Sequence, residues 1–364
     1  KIQGDVVNAL VQNNTVDDIG GGVTSWAFGL VVTGSGSATA DPSGTQFLNN
    51  VISDIEGNTA TPYVGVGMGQ ETSLPFTDTP EATGTYASGN TITGAALVFE
   101  DKFDGGTAPT PAAIEAVAAA NGVDTGAYII KGDRAEFWDS VEDAVASADA
   151  GDTVHLLSGT YTGDLTIDKE LTLSGPNAGV TGFDGARGDE ATIEGVLTIA
   201  ADGVTVEGVT VDGGDANSSP IDLGNAGDVT VQNNVVVGGS DDGGISTWTS
   251  ANGVTGIVTI SGNQVDDGSI GMYVGGGGSQ INVKNNQITE ATTEGIWLWD
   301  TSGQLATADL DVRDNTILVT DTSDSGSAEI KIRTAPNSMA STDEDPNATP
   351  DLSQIAQDLL GANT

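Results

Sequence analysis

Apolar positions along the chain come in short alternating runs broken by glycine. Over residues 151–185 the runs are 153–157, 164–167 and 170–174. Each alternates apolar and polar side chains, the period-two signature of a half-buried strand, and none is long enough to bury itself. Just ahead, Val141, Ala144, Val145 and Ala148 fall at i, i+3, i+4 and i+7, one face of a helix. Ser140 with Asp143, or Asp139 with Glu142, makes a candidate capping box, and Gly151 a candidate stop. The spacing predicts a short helix over 139–150. A small helix followed by many short strands predicts a cap on the open end of a parallel β-coil, whose unpaired edge needs covering.

A six-residue pattern recurs through the chain. It reads Val11-Gln12-Asn13-Asn14-Thr15-Val16, Phe47-Leu48-Asn49-Asn50-Val51-Ile52 and Ala87-Ser88-Gly89-Asn90-Thr91-Ile92 in the first part. It returns around Asn233-Asn234, Gly262-Asn263, Asn285-Asn286 and Asp314-Asn315. The later asparagines, at 234, 263, 286 and 315, are 29, 23 and 29 residues apart, a period that fits one coil of a solenoid; the earlier intervals are longer, 36 and 40. A tight corner between strands needs a residue that tolerates the left-handed region and bonds its neighbours. Stacked coils would place these amides in a ladder, a structural role and not a ligand-binding one.

Residues 143–177, with D-A-V, A-D-A-G-D-T-V-H-L-L-S-G-T-Y and D-K-E-L-T-L-S-G-P-N, resemble the start of right-handed parallel β-helix domains of the pectin-lyase-like superfamily. They look most like its copper-periplasmic-protein and pectin-esterase branches. The resemblance implies the fold and leaves function open, since that superfamily holds lyases, esterases, epimerases, tailspikes and inert adhesins.

Two segments share a helix pattern: Thr110, Pro111, Gly122, Thr125 and Thr349, Pro350, Gly361, Thr364. Threonine suits an N-cap, proline the first helical residue and glycine the stop. Helices are expected over 110–121 and 350–360. The copies lie 239 residues apart. They predict that 126–364 is one whole unit with a leading helix at 139–150 and a closing helix at 350–360. Residues 1–125 then form the C-terminal half of a preceding unit. The chain is read as a processed segment of a tandem array, or as one member of an array built by head-to-tail association. The join, 126–139, is unusually apolar, with Tyr128, Ile129, Ile130, Phe137 and Trp138. A flexible linker would be polar and rich in Gly and Ser, so these five residues are expected to form a packed assembly junction. Residues 334–349 are acidic and rich in turn formers, and read as a surface loop.

Charge narrows the partners. The 364 residues carry 52 Asp plus Glu against 10 Lys plus Arg, a formal net charge of −42. Phosphate neutralisation needs a basic surface, which argues against nucleic acid; adhesion to anionic membranes is disfavoured likewise. No apolar run approaches a membrane span of about 20 residues. Cysteine is absent, which removes disulfides and thiolate metal sites. The acidity fits either a hydrated halophilic or marine surface, whose repulsion salt screens, or a Ca²⁺-loaded one. So many acids exceed what a few ion sites need, which favours the first.

Three constellations bear on chemistry. Aligning residues 244–248, 271–275 and 295–299 as equivalent strands points Ile245, Met272 and Ile296 inward. Tyr273 and Trp297 then face outward on adjacent coils, with Trp248 and Trp299 two residues further on. Such a strip suits sugar stacking, a packing or assembly contact, or local cover. Asp241, Asp242, Asp266 and Asp267 recur just ahead of the aromatic strands, an arrangement able to hold Ca²⁺. The superfamily's enzymes supply the third comparison. A pectate-lyase-like base would be Lys284 or Arg313, but both sit beside corner asparagines. A polygalacturonase-like site would need more than Asp241-Asp242 and the reversed echo Lys331-Ile332-Arg333. The lone His155 lies inside a strand, and neither a His/Cys cluster for copper nor a nucleophile elbow is present.

The sequence therefore predicts an all-β right-handed parallel β-helix with short capping helices. It acts as a non-catalytic extracellular structural repeat of a surface fibre, filament or adhesin in a saline setting. Its main partner is itself, with glycans as a further partner and Ca²⁺ as the one candidate cofactor. The alternative is a polysaccharide-binding or polysaccharide-cleaving β-helix of lyase, esterase or epimerase type.

Overall fold

The computed structural model describes residues 2–3, 8–17, 27–33, 46–52, 63–69, 86–88, 91–92, 96–100, 110–120, 123–132, 134–214, 219–239, 243–247, 254–266, 268–276, 280–300, 310–319, 328–334 and 338–341. The chain divides into two compact units: residues 1–148 with 154–157, and residues 149–153 with 158–364.

In the second unit each coil contributes one strand to each of three parallel faces. The first face runs from Thr172–Ser174 to Leu310–Arg313. The second runs from Gly159–Thr162 to Thr316–Val319. The third runs from Leu165–Ile167 to Ala328–Thr334 and ends on Ser338–Ser341, which pairs antiparallel with Ala328–Thr334. The short alternating runs dictate this arrangement. A Thr-Val-Glu or Thr-Val-Asp strand has one apolar side chain to bury, and stacking in register lines those side chains into columns. Leu173, Val206, Val231, Ile260, Val283 and Val312 form one column. Leu197, Ile221, Ile245, Met272, Ile296 and Ile330 form another, and every member is buried. Each full burial is worth about 1.5–3 kcal/mol. The expected strands at 153–157, 164–167 and 170–174 are found as Thr153–Leu156, Leu165–Ile167 and Thr172–Ser174. Gly159–Thr162 is a further strand outside those runs.

The corner between the first and second faces divides its work between two residues. The first takes the left-handed conformation: Asn233, Asn285 and Asp314 have φ of 59°, 52° and 58°, and Gly262 has 67°. The second, Asn234, Asn263, Asn286 or Asn315, is fully buried. Asn263 shows the repeat. Its Nδ2 donates back to Val231 O (2.9 Å) and forward to Asn286 Oδ1 (3.0 Å), while its own Oδ1 accepts from the backbone N–H and Nδ2 of Asn234 (3.0 and 3.1 Å). Asn286 and Asn315 continue the same bonds. Val209 N–H, one coil earlier, donates to Asn234 Oδ1 at 3.1 Å.

A loop over 175–189 crosses this corner. Gly182 N–H donates to Gly262 O at 2.7 Å, and a Cβ there would sit 2.2 Å from Asn234 O, so only glycine fits. Arg187, with 8% of its side chain exposed, grips Glu190 with Nε and Nη2 (2.7 and 2.8 Å). Its Nη1 donates to Val180 O and Asn233 O at 2.9 and 2.8 Å.

The first unit repeats the coil. Ile2–Gln3, Ala27–Thr33, Tyr63–Gly69 and Ala96–Glu100 pair in parallel. Leu10–Gln12 with Gln46–Leu48, and Thr15–Val16 with Val51–Ile52, stack likewise. Asn13 and Asn49 take the left-handed corner with φ of 56° and 52°. Asn50 is buried and bonds Asn14 and Val11 O as in the other unit.

After Ala96–Glu100 the strand direction reverses. Arg134–Trp138 pairs antiparallel with it, Ala127–Lys131 with Arg134–Trp138, and Thr153–Leu156 with Ala127–Lys131. Helix α1, Pro111–Ala120, follows Thr110, whose carbonyl accepts from Ile114 N–H. Helix α2, Val141–Ser147, is shorter than the expected 139–150. Ser140 is its N-cap, accepting from Asp143 N–H at 3.1 Å, and Ala148 is already extended. Gly151, with φ +90°, turns the chain after the helix has ended and does not stop it. The face of Val141, Ala144, Val145 and Ala148 is buried, and α2 lies against Ala127–Lys131 and Arg134–Trp138. The expected closing helix at 350–360 lies outside the described residues. The loop expected over 334–349 contains the strand Ser338–Ser341. Backbone pairing with Ala328–Thr334 makes that strand, a feature no apolar period announces.

Replacing Asn263 by Ala strands Val231 O and both Asn234 donors in the core. At about 1–3 kcal/mol for each lost partner, it should cost about 3 kcal/mol or more. Exposed Thr166→Ala should stay within about 0.5 kcal/mol. Urea unfolding of the two variants compares them, and equal losses would remove the ladder as a principal support.

Tyr128 gives a pH-dependent check. Burial first, then the charge of Glu115 and the hydrogen bond to it, push its phenol well above the ordinary value near 10. Its contribution is therefore fully present below about pH 10 and is lost as pH rises towards the folded-state value. Denaturant stability measured between pH 8 and about 11 should fall less steeply in Tyr128→Phe than in the parent.

Candidate functional site

The apolar join is a β-hairpin built into the first unit. Tyr128, Ile129, Phe137 and Trp138 are buried and Ile130 is half-buried. Alternation puts Tyr128 opposite Phe137 and His155 in the pairing register. The rings follow: Tyr128 stacks on His155 (centroids 4.8 Å, 14°) and tilts against Phe137 (5.3 Å). The Tyr128 hydroxyl donates to Glu115 Oε1 of α1 at 3.1 Å, and Lys131 Nζ reaches Ser147 O at the end of α2 (3.5 Å). The hairpin thus ties both helices and Thr153–Leu156 to the parallel strands of this unit, and it also accounts for His155.

The aromatic strip keeps the expected register but not the expected exposure. Ile245, Met272 and Ile296 align inward, and Ser246, Tyr273 and Trp297 align at the adjacent register position of the same strands. Tyr273, expected to face outward, is 1% exposed, and Trp297 is half-buried. They meet edge to face with centroids 5.1 Å apart, so the tyrosine ring is spent on packing. Trp299 pairs with Arg333 in the register two positions further along. Trp248 lies outside the described residues.

Of the acid pairs, Asp241, Asp242 and Asp267 lie outside the described residues. Asp266 accepts from the Gln264 side-chain amide and the Thr289 hydroxyl on the neighbouring strand. Among the described residues no group of three or more His, Cys, Asp or Glu is placed to hold a metal ion.

Lys284 and Arg313 do come together, in register on adjacent strands. Asp311 sits between them, 3.1 Å from Lys284 Nζ and 2.7 Å from Arg313 Nε, and Asp314 adds a contact of 3.3 Å to Arg313. The Arg313 hydrogen bond, then Lys284, holds the Asp311 carboxyl below its usual range, and the same pairing raises Arg313. A guanidinium held this firmly charged is the opposite of what a proton-abstracting base requires. The group is an exposed, locally neutral ion network at a coil corner.

Sequence reading passed over the Arg187 strap. Its only signal is a single arginine within a glycine-rich turn, and nothing local shows that it meets a carbonyl 46 residues away.

No helix among the described residues is long and apolar enough to cross a membrane. Comparison with curated proteins and with solved structures returns no match. A family model described as a right handed beta helix region matches residues 177–330. That span covers the Asn-cornered coils of the second unit, and the chain carries an all-β, right-handed parallel β-helix domain.

Proposed function

We propose that the protein is a non-catalytic structural repeat module of an extracellular surface fibre, filament or adhesin, extended by end-to-end stacking of β-helix coils. The carrying observation is the coil repeat: Asn50 in the first unit and Asn234, Asn263, Asn286 and Asn315 in the second occupy the same buried corner, each bonded back to a carbonyl of the coil before it. A stack built on one repeated corner extends by adding like coils, which pair the strand edges they meet. The repeated helix pattern 239 residues apart supports a chain built for tandem use. The contact is heterologous, so it propagates as an open fibre and not as a closed ring. The acidic surface suits a saline exterior, where short screening lengths let bodies of charge −42 approach.

Glycan attachment would be a secondary property of such a surface. Tyr273 is withdrawn from it by burial, which leaves Trp297 as the described aromatic with exposed area on the strip.

Negative-stain microscopy and sedimentation across NaCl and Ca²⁺ concentrations test the proposal. Raising salt from about 0.05 M towards 1 M shortens the screening length to about 3 Å and should lengthen linear assemblies whose axial rise is about 4.8 Å per coil. Dispersed chains in every condition would overturn self-assembly.

A further inference from the structure

We propose that Asn13 is a glycosylation site, carrying an oligosaccharide on its side-chain nitrogen. The inference rests on the extracellular part of the reading above, since this modification belongs to the surface turns of secreted chains.

The corner gives its two asparagines different tasks. The second is taken up by the ladder: Asn14 Nδ2 donates to Gln12 O and to Asn50 Oδ1, both at 3.0 Å. The first is held by its backbone. Asn13 is left-handed, with φ of 56°, and its N–H donates to Leu48 O at 3.1 Å. Its side chain is exposed, and no described residue hydrogen-bonds its carboxamide. The fold therefore uses the conformation of Asn13 and leaves its amide to solvent.

Other corners present a left-handed residue in the same way, but among the described corners this one alone completes an acceptor. The acceptor pattern is Asn, any residue but proline, then Ser or Thr. Asn13-Asn14-Thr15 meets it, and Thr15 is exposed as well. Asn49, Asn233 and Asn285 are followed two residues on by Val51, Val235 and Gln287. The corners at Gly262 and Asp314 have no amide in the first position. Asn217-Ser218-Ser219 and Asn347-Ala348-Thr349 share the spacing, but Asn217 and Asn347 lie outside the described residues.

Charge favours the same corner. The donor in such a transfer is a sugar joined to phosphate, an anion. In a chain of net charge −42, residues 6–16 carry no charged side chain, and neither do residues 44–52, whose strands stack on this corner. An anionic donor is repelled least where the surface is locally neutral. In the transfer the Asn13 nitrogen bonds the anomeric carbon of the sugar. The bond from that carbon to the phosphate oxygen breaks, and the nitrogen gives up one proton as the phosphate leaves. A separate transferase brings the sugar phosphate.

Mass spectrometry of the peptide holding residue 13 tests the site, on full-length chain recovered from the cells that make it and from their surroundings. Parent, Thr15→Ser and Thr15→Val are compared. Valine already stands at the matching positions 51 and 235, so Thr15→Val keeps the corner. An oligosaccharide on Asn13 is expected in the parent and in Thr15→Ser, and its loss in Thr15→Val. Unmodified Asn13 in chain recovered outside the cell would overturn the site and leave the extracellular reading standing. Unmodified chain confined to the cell interior would overturn both.

Discussion

Buried amides that must be satisfied set the terms of this fold. Asn234, Asn263, Asn286 and Asn315 sit in the core with essentially no exposure. An unbonded amide there would cost several kcal/mol. Asn234, Asn263 and Asn286 are relieved by the coils on either side, through a carbonyl behind and an amide ahead, and Asn315 bonds the carbonyl behind it. A coil cannot slip by one residue without breaking these bonds and turning its aliphatic column outward. The ladder therefore fixes register where hydrophobic burial alone would leave several alignments of similar energy. The strap over 175–189 adds a second lock: Arg187 and Gly182 reach two successive corners and leave no room for displacement.

Much of this was legible in the chain. The Asn spacing identified the coil period, and period-two alternation identified the inward residues, down to the alignment of Ile245, Met272 and Ile296. The split of the corner between two residues was not legible. Both positions favour asparagine, the first for its left-handed φ and the second for its side chain. Gly262 separates the roles, since glycine can supply the conformation but not the amide. Tyr273 escaped for another reason. Alternation tells which way a side chain leaves its strand, not whether something else covers it. The hairpin escaped because reversal of strand direction leaves no mark on a period-two pattern; Ala127–Lys131 reads the same whether its neighbours are parallel or antiparallel.

The acidity and the architecture fit together. One aliphatic side chain per strand goes inward, so the outward positions are free to take almost any polar residue. A solenoid also meets only its neighbours, so repulsion between surface carboxylates is spread along the stack. Three cations of the described residues are used locally. Arg187 braces the strap against Glu190, and Lys284 and Arg313 are balanced at the corner of Asp314 and Asn315. These three make no large basic surface of the kind that would recruit polyanions.

A ladder that points one way has two unlike ends. Backward bonds need a carbonyl from the coil before, and forward bonds need an amide oxygen from the coil after. The first and last coils of any such stack are thus complementary to each other and not to themselves. Association through them joins head to tail and reproduces the same unlike ends at each step, so the assembly has no intrinsic stopping point. Any limit on its length must come from outside the ladder: from self-repulsion of the acidic bodies, or from chain that covers an end. Antiparallel strands are one such device. They close one face of a coil stack at Ser338–Ser341, and at Arg134–Trp138 they follow the last parallel strand of the first unit. Reversing direction on one face ends parallel pairing there. The directional ladder and the reversed strands thus act in opposite senses, the one favouring added coils and the other ending them.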